Sequence, residues 1–116
     1  MNIQIFGKSK CFDTKKAERH FKERRIKYQL INVAKFGMSV GEYRNIKSAV
    51  GSMDALVDEK SNEYENQYMA HLARSDDAEE RLLGNPGMFK TPIVRNGKKA
   101  TVGYQPDIWI SWEKSE

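Results

Sequence analysis

The stretch Ile3-Gln4-Ile5-Phe6-Gly7-Lys8-Ser9-Lys10-Cys11-Phe12-Asp13-Thr14-Lys15-Lys16-Ala17 decides how the rest of the chain is read. Ile3, Ile5 and Gly7 alternate with Asn2, Gln4 and Phe6, which predicts a short strand over 2–7, buried on both faces at Phe6. From Thr14 to Arg25 the strong helix formers Lys, Ala, Glu and Arg dominate, and Ala17, His20, Phe21 and Arg24 recur at three-and-four spacing. A helix is expected there, with Asp13 or Thr14 as its cap. Cys11, the sole cysteine, falls at the junction, beside the unpaired N–H groups of a first helical turn, where thiolate is favoured over thiol. A lone cysteine more often fills apolar space. Here Lys8, Lys10, Lys15 and Lys16 lie within five residues of it, opposed by Asp13, and their charges favour a functional thiol.

Working outward, Ile26–Val33 reads as a second strand, parallel to the first if both share a sheet. Ser39 and Glu42 form a capping pair ahead of a helix that Gly51 ends. The segment 52–83 has no Gly or Pro and accommodates two or three short helices. Its stripe of Tyr64, Tyr68, Met69 and Leu72 is expected to face the core. Gly84-Asn85-Pro86-Gly87 stops that region. Beyond it the period becomes two: a strand over 91–95, an Asn96-Gly97 turn, and a strand over 98–102. Gln105-Pro106-Asp107 opens a last helix whose apolar face is Ile108, Trp109 and Trp112.

At 116 residues the chain fits one domain over 1–116, with a helical insert over 39–85. No apolar run reaches a membrane span, and Met1-Asn2-Ile3-Gln4 lacks the layout of a signal peptide, so a cytoplasmic protein is expected. Its single cysteine fits a reducing compartment. Charge is unevenly spread: residues 1–27 carry nine Lys/Arg against three Asp/Glu, and residues 54–80 carry two against nine. The basic end suits a small anion such as glutathione, an oxyanion or an acidic protein surface. It lacks the interleaved aromatics and motifs of nucleic-acid binders, so no direct nucleic-acid binding is expected. His20 and His71 have no ligand spacing around them, so neither a metal nor a bound cofactor is expected.

The order β-α-β, helical insert, β-β-α, with a thiol at the first helix and an X-Pro opening the third strand, resembles the thioredoxin fold. This α/β fold implies a mixed sheet of about four strands flanked by helices. Cys11 in Lys-Cys-Phe-Asp-Thr-Lys-Lys-Ala, Thr-Pro-Ile-Val at 91–94 and Val-Gly-Tyr-Gln-Pro at 102–106 further resemble the arsenate reductase-like (ArsC/Spx) family. That family includes glutaredoxin-dependent arsenate reductases and the transcriptional regulator Spx.

The resemblance implies that Cys11 is the catalytic position, that Pro92 is a cis-proline facing it, and that Lys8, Lys10, Thr14, Thr91 and Pro92 form the substrate or glutathione site. It also has arginines where this chain carries Thr91, Tyr104 and the Leu56–Glu59 region; Arg95 is a poor substitute. Spx-like proteins carry a Cys-x-x-Cys pair where this chain has Cys11 and Thr14, so no internal disulfide switch can form. Three readings stand: a glutathione- or glutaredoxin-coupled thiol oxidoreductase; a non-enzymatic adapter for the C-terminal domain of the RNA polymerase α subunit; and a fold relic with an inert cysteine.

Overall fold

The computed structural model describes residues 1–62, 64 and 76–115. In it β1 (Ile3–Gly7) leads into α1 (Phe12–Glu23), β2 (Tyr28–Asn32), a one-turn helix α2 (Val33–Phe36) and α3 (Val40–Val50). A 3-10 turn at Asp54–Leu56, α4 (Asp76–Gly84), a second 3-10 turn at Pro86–Met88, β3 (Ile93–Asn96), β4 (Lys99–Val102) and α5 (Pro106–Lys114) follow among the described residues. The sheet runs β2-β1-β3-β4, with β1 parallel to β2 and the pairs β1–β3 and β3–β4 antiparallel. This is the expected mixed four-stranded sheet of a thioredoxin-like fold. No helix among the described residues is long and apolar enough to cross a membrane.

Because β1 is central, its alternation feeds two cores. Ile3 and Ile5 join Ala17 and Phe21 of α1, Val94 of β3, and Trp109 and Trp112 of α5 on one face. Phe6 joins Val33, Tyr43, Ile46, Leu56, Leu82, Phe89 and Ile93 on the other. The pairings Ile5↔Val94 and Phe6↔Ile93 keep the two sets in register across the strands. Trp109 is fully buried, and its indole N–H donates to the Thr101 hydroxyl at 2.9 Å, which satisfies the one polar atom it takes into the core.

Several boundaries differ from expectation for local reasons. α1 begins at Phe12, with Cys11 itself in the N-cap position, so neither Asp13 nor Thr14 is the cap. β2 stops at Asn32 because the Asn32 side chain accepts the Lys35 N–H and starts α2, which Gly37 at φ 65° ends. Ser39 and Glu42 make both bonds of a capping box, and Gly51 closes α3 in the left-handed region. On α5, Trp109 and Trp112 are buried, but Ile108 lies at the surface. Tyr64 packs against the larger core, whereas Tyr68, Met69, Leu72 and His71 lie outside the described residues.

His20 is wedged between Phe21 and Trp109, and its Nε2 is buried without a hydrogen-bond partner among the described residues. Burial, reinforced by the Arg24 charge and only partly offset by Glu113 and Glu23, holds its pKa below the usual histidine value of 6.5. The unfolded chain therefore binds this proton at a pH where the folded chain still resists it. His20 favours folding fully above pH 6.5, and that contribution declines as pH falls below it. The urea midpoint should drop between pH 6.5 and pH 5, and His20→Phe should flatten the drop. A wild-type midpoint that is constant across this window contradicts the assignment.

Candidate functional site

The site is built where β1 ends against α1. Gly7 is buried at that point, and a Cβ placed on it would lie 2.3 Å from Thr14 Cγ2 and 2.8 Å from Thr14 Oγ1. Only glycine lets the strand approach the helix this closely. Thr14 is buried, and its hydroxyl oxygen accepts the Lys8 N–H at 3.4 Å, leaving its proton to point elsewhere. The intervening loop closes on a Cys11 N–H to Lys8 carbonyl bond of 3.1 Å, which delivers Cys11 to the helix N-cap, half-buried.

Across from it, the Thr91–Pro92 peptide bond is cis. The thiol donates to the Thr91 carbonyl at 3.6 Å, and the Pro92 carbonyl accepts the Gly103 N–H at 2.8 Å. Partial burial alone would push the Cys11 thiol up. The Thr14 and Thr91 hydroxyls and the Thr14 and Asp13 backbone N–H groups outweigh it and hold the thiol below its ordinary value. As a thiol, Cys11 makes no capping bond to those amides. On ionisation the sulfur becomes an acceptor only, and it takes the role that an N-cap oxygen normally plays.

The lysines do not act as expected. None of Lys8, Lys10, Lys15 and Lys16 is among the groups that shift the thiol. The Lys8 ammonium donates to the Gly87 carbonyl at 2.7 Å and ties the loop to the turn before β3. Lys16 pairs with Asp13 at 3.8 Å on the exposed side of α1, so the Asp13 carboxylate is turned to a lysine, and its contribution at the sulfur is its N–H.

A cleft of about 710 Å³ opens beside the thiol, lined by Lys8, Lys10, Cys11, Asp13, Asp58, Lys90 and Thr91 together with Ala55, Val102 and Gly103. Thr14 and Pro92 are buried and do not line it; Thr14 lies against the sulfur, and Pro92 follows Thr91 across the cis bond. The sequence reading missed Lys90. A bridge between Val57 and Phe89 brings it in, flanked by bonds from Asp58 N–H to the Met88 carbonyl (2.7 Å) and from Lys90 N–H to the Leu56 carbonyl (2.8 Å). The available signal was the apolar pair Val57 and Phe89, each followed by a charged residue.

Tyr104 turns away from the cleft. Its ring stands edge-on to Trp109 at 5.6 Å, with the Lys16 ammonium 5.6 Å from its centroid. Arg95 is engaged elsewhere, with Asn45 at 2.9 Å, Gln4 at 3.1 Å and Glu42 at 3.8 Å. Among the described residues no group of three or more His, Cys, Asp or Glu side chains is placed to hold a metal ion.

The sheet order, the flanking helices and the thiol at the first strand–helix junction define a protein of the thioredoxin-like class. Within that class the model of the ArsC family matches residues 6–111, and the chain belongs to this family. Global transcriptional regulator Spx 2 of Oceanobacillus iheyensis is 24% identical over 131 aligned positions, covering 97% of this chain and 94% of that protein. Arsenate reductase from Vibrio cholerae superposes with a TM-score of 0.83 at 22% identity, over 96% of this chain and 97% of that one. An arsenate reductase (ArsC) related protein from Brucella melitensis gives 0.67 at 21% identity, over 98% and 96%.

If hydroxyl and amide donors set the thiol, removing one should raise its pKa, and removing a lysine should not. Thr14→Val is expected to move the midpoint of the alkylation rate against pH upward, while Lys15→Met leaves it in place. Gly7→Ala should also raise it, by displacing Thr14, and should lower the urea midpoint. A Lys15→Met shift equal to that of Thr14→Val would return the control to the lysines.

Proposed function

We propose that this is a cytoplasmic thiol-exchange protein whose Cys11 forms a mixed disulfide with glutathione or a protein thiol and is released by glutathione with glutaredoxin. The donor set around Cys11, two hydroxyls and two helix N-terminal amides, carries the reading because it favours the nucleophilic form of the sulfur. The thiolate attacks one sulfur of glutathione disulfide. A Cys11–glutathione bond forms, the original S–S bond breaks, and the second glutathione leaves as a thiolate; Cys11 is oxidised as that half is reduced. With no second cysteine in the chain, the adduct persists until an external thiol attacks it.

Arsenate reduction is the less favoured chemistry. Arginine forks are the natural binders of a tetrahedral oxyanion, and the positions that the family resemblance assigns to them hold Thr91, Tyr104 and the Asp58 segment. Thr91 offers no charge, Tyr104 lies against Trp109, and Asp58 repels an anion.

Incubation with oxidised glutathione should add one glutathione to the intact mass. Cys11→Ser should abolish the adduct, and glutaredoxin with reduced glutathione should remove it. The same coupled system supplied with arsenate should turn over negligibly. The absence of an adduct, with an alkylation midpoint at the free-cysteine value, overturns the reading. Efficient arsenate turnover that is lost in Cys11→Ser overturns its choice of substrate.

A second reading is favoured by the match to Spx 2 along nearly the whole chain and by the exposed basic face of Lys15, Lys16, Arg19 and Lys22 on α1. In it the protein is an adapter for the C-terminal domain of the RNA polymerase α subunit, with association steered by charge. Capture of that purified domain at low salt, weakened at high salt and by Arg19→Glu, would establish it. Equal recovery from both salts, or none, removes it.

A further inference from the structure

Five charged side chains line the Cys11 cleft, and two of them are already committed. Lys8 is bound to the Gly87 carbonyl, and Asp13 faces Lys16. Lys10, Lys90 and Asp58 remain. Lys10 and Lys90 are exposed and Asp58 is half-buried, and no salt bridge engages any of the three among the described residues. Asp58 uses one carboxylate oxygen to accept the Lys60 N–H at 3.0 Å. Among the described residues the second oxygen takes no hydrogen bond, which leaves it for a ligand. Position is fixed from the backbone outward: the Val57–Phe89 bridge holds Asp58 and Lys90 on adjacent segments, and Lys10 lines the same cleft one residue before the thiol.

We infer that the uncommitted ammonium groups of Lys10 and Lys90 and the carboxylate of Asp58 select a peptide thiol carrying two carboxylates and one ammonium, as each half of glutathione disulfide does. This inference rests on the thiol-exchange reading and specifies its ligand. The match is one of number as well as sign. A tetrahedral oxyanion has no group for Asp58 to receive, and a simple diamine has none for the two lysines. Asp58 is thereby a selector in the cleft, at a segment where the family resemblance leads one to expect a cation.

The test exploits the fact that glutathione disulfide is net negative at neutral pH. If Asp58 contributes only its field, Asp58→Asn should speed attack on this disulfide; if it receives the ligand's ammonium, the substitution should slow it. Rates of mixed-disulfide formation are measured for wild type, Asp58→Asn and Lys90→Gln. The disulfides are glutathione disulfide, cystamine, dithiodipropionate and the neutral bis(hydroxyethyl) disulfide, and each variant-to-wild-type ratio is divided by the ratio for the neutral compound. Changes in the thiol itself then cancel.

The expected result is that Asp58→Asn slows glutathione disulfide and cystamine by about two- to fivefold, the range of a partly exposed ion pair, and speeds dithiodipropionate. Lys90→Gln should slow glutathione disulfide and dithiodipropionate and speed cystamine. Acceleration of glutathione disulfide by Asp58→Asn, or no change, overturns the selection while leaving thiol exchange standing. A thiol that reacts with none of the four disulfides overturns thiol exchange and the selection together.

Discussion

The contact between the end of β1 and the first turn of α1 is the constraint on which the site depends. Gly7 has no side chain, so Thr14 can occupy the space a Cβ would fill. That brings the helix N-terminus down onto the strand end, and the connecting loop closes on the Lys8–Cys11 turn. Thr14 then serves two neighbours at once, accepting from the Lys8 amide and donating toward the Cys11 sulfur. A hydroxyl suits this double role because it has one proton to give and lone pairs to receive. Strand packing, loop closure and thiol chemistry thus share one buried side chain, and each limits how far the others can vary.

The strongly basic first 27 residues divide into groups with separate work. Lys8 is structural, holding the loop to the turn before β3. Lys16 and Asp13 satisfy each other near the surface, with Lys16 also over the Tyr104 ring. Arg24 reaches Glu113 at 3.1 Å and links the two helices that share a face of the sheet. What remains for a partner is the outer side of α1 and Lys10 at the rim of the cleft. Net charge in a segment therefore says little about the field at one atom within it; the direction of each ammonium decides that.

Much of the architecture is legible in the sequence because its signals are local. Alternation in Ile3–Phe6, the Ser39–Glu42 capping pair and the Asn96-Gly97 turn each fix a short piece of backbone, and the order of the pieces leaves few ways to pair the strands. The position of Cys11 at a strand–helix junction is equally readable. What composition misassigns is the cause of the thiol's acidity: lysines close in sequence receive credit for an effect that hydroxyls and amides produce, since sequence proximity does not tell where a flexible side chain ends. Lys90 is invisible for a different reason. It reaches the cleft through a bridge between segments more than thirty residues apart, Val57 with Phe89, and long-range pairing of two single residues leaves no periodicity to read. Ile108 is misplaced on the buried face because apolarity alone does not rank three neighbours on one helix; the two indoles fill the face first.

The groups that act on the sulfur are neutral hydroxyls and amides, and that has a consequence for how the site works. An arginine at position 91 would act over several ångströms and would lose much of its effect as salt is added. Thr91 and Thr14 act only in contact, through hydrogen bonds that mobile ions do not screen in the same way. Charge lies further out, on Lys10, Lys90 and the exposed face of α1, where it can influence encounter with a ligand. Stabilisation of the sulfur and attraction of what it meets are therefore carried by different residues in this chain. In a site built on an arginine clamp one set of groups does both, so a change in ligand charge necessarily disturbs the nucleophile. Here the outer charges can be altered to suit another ligand while the hydroxyl and amide donors around the sulfur stay in place.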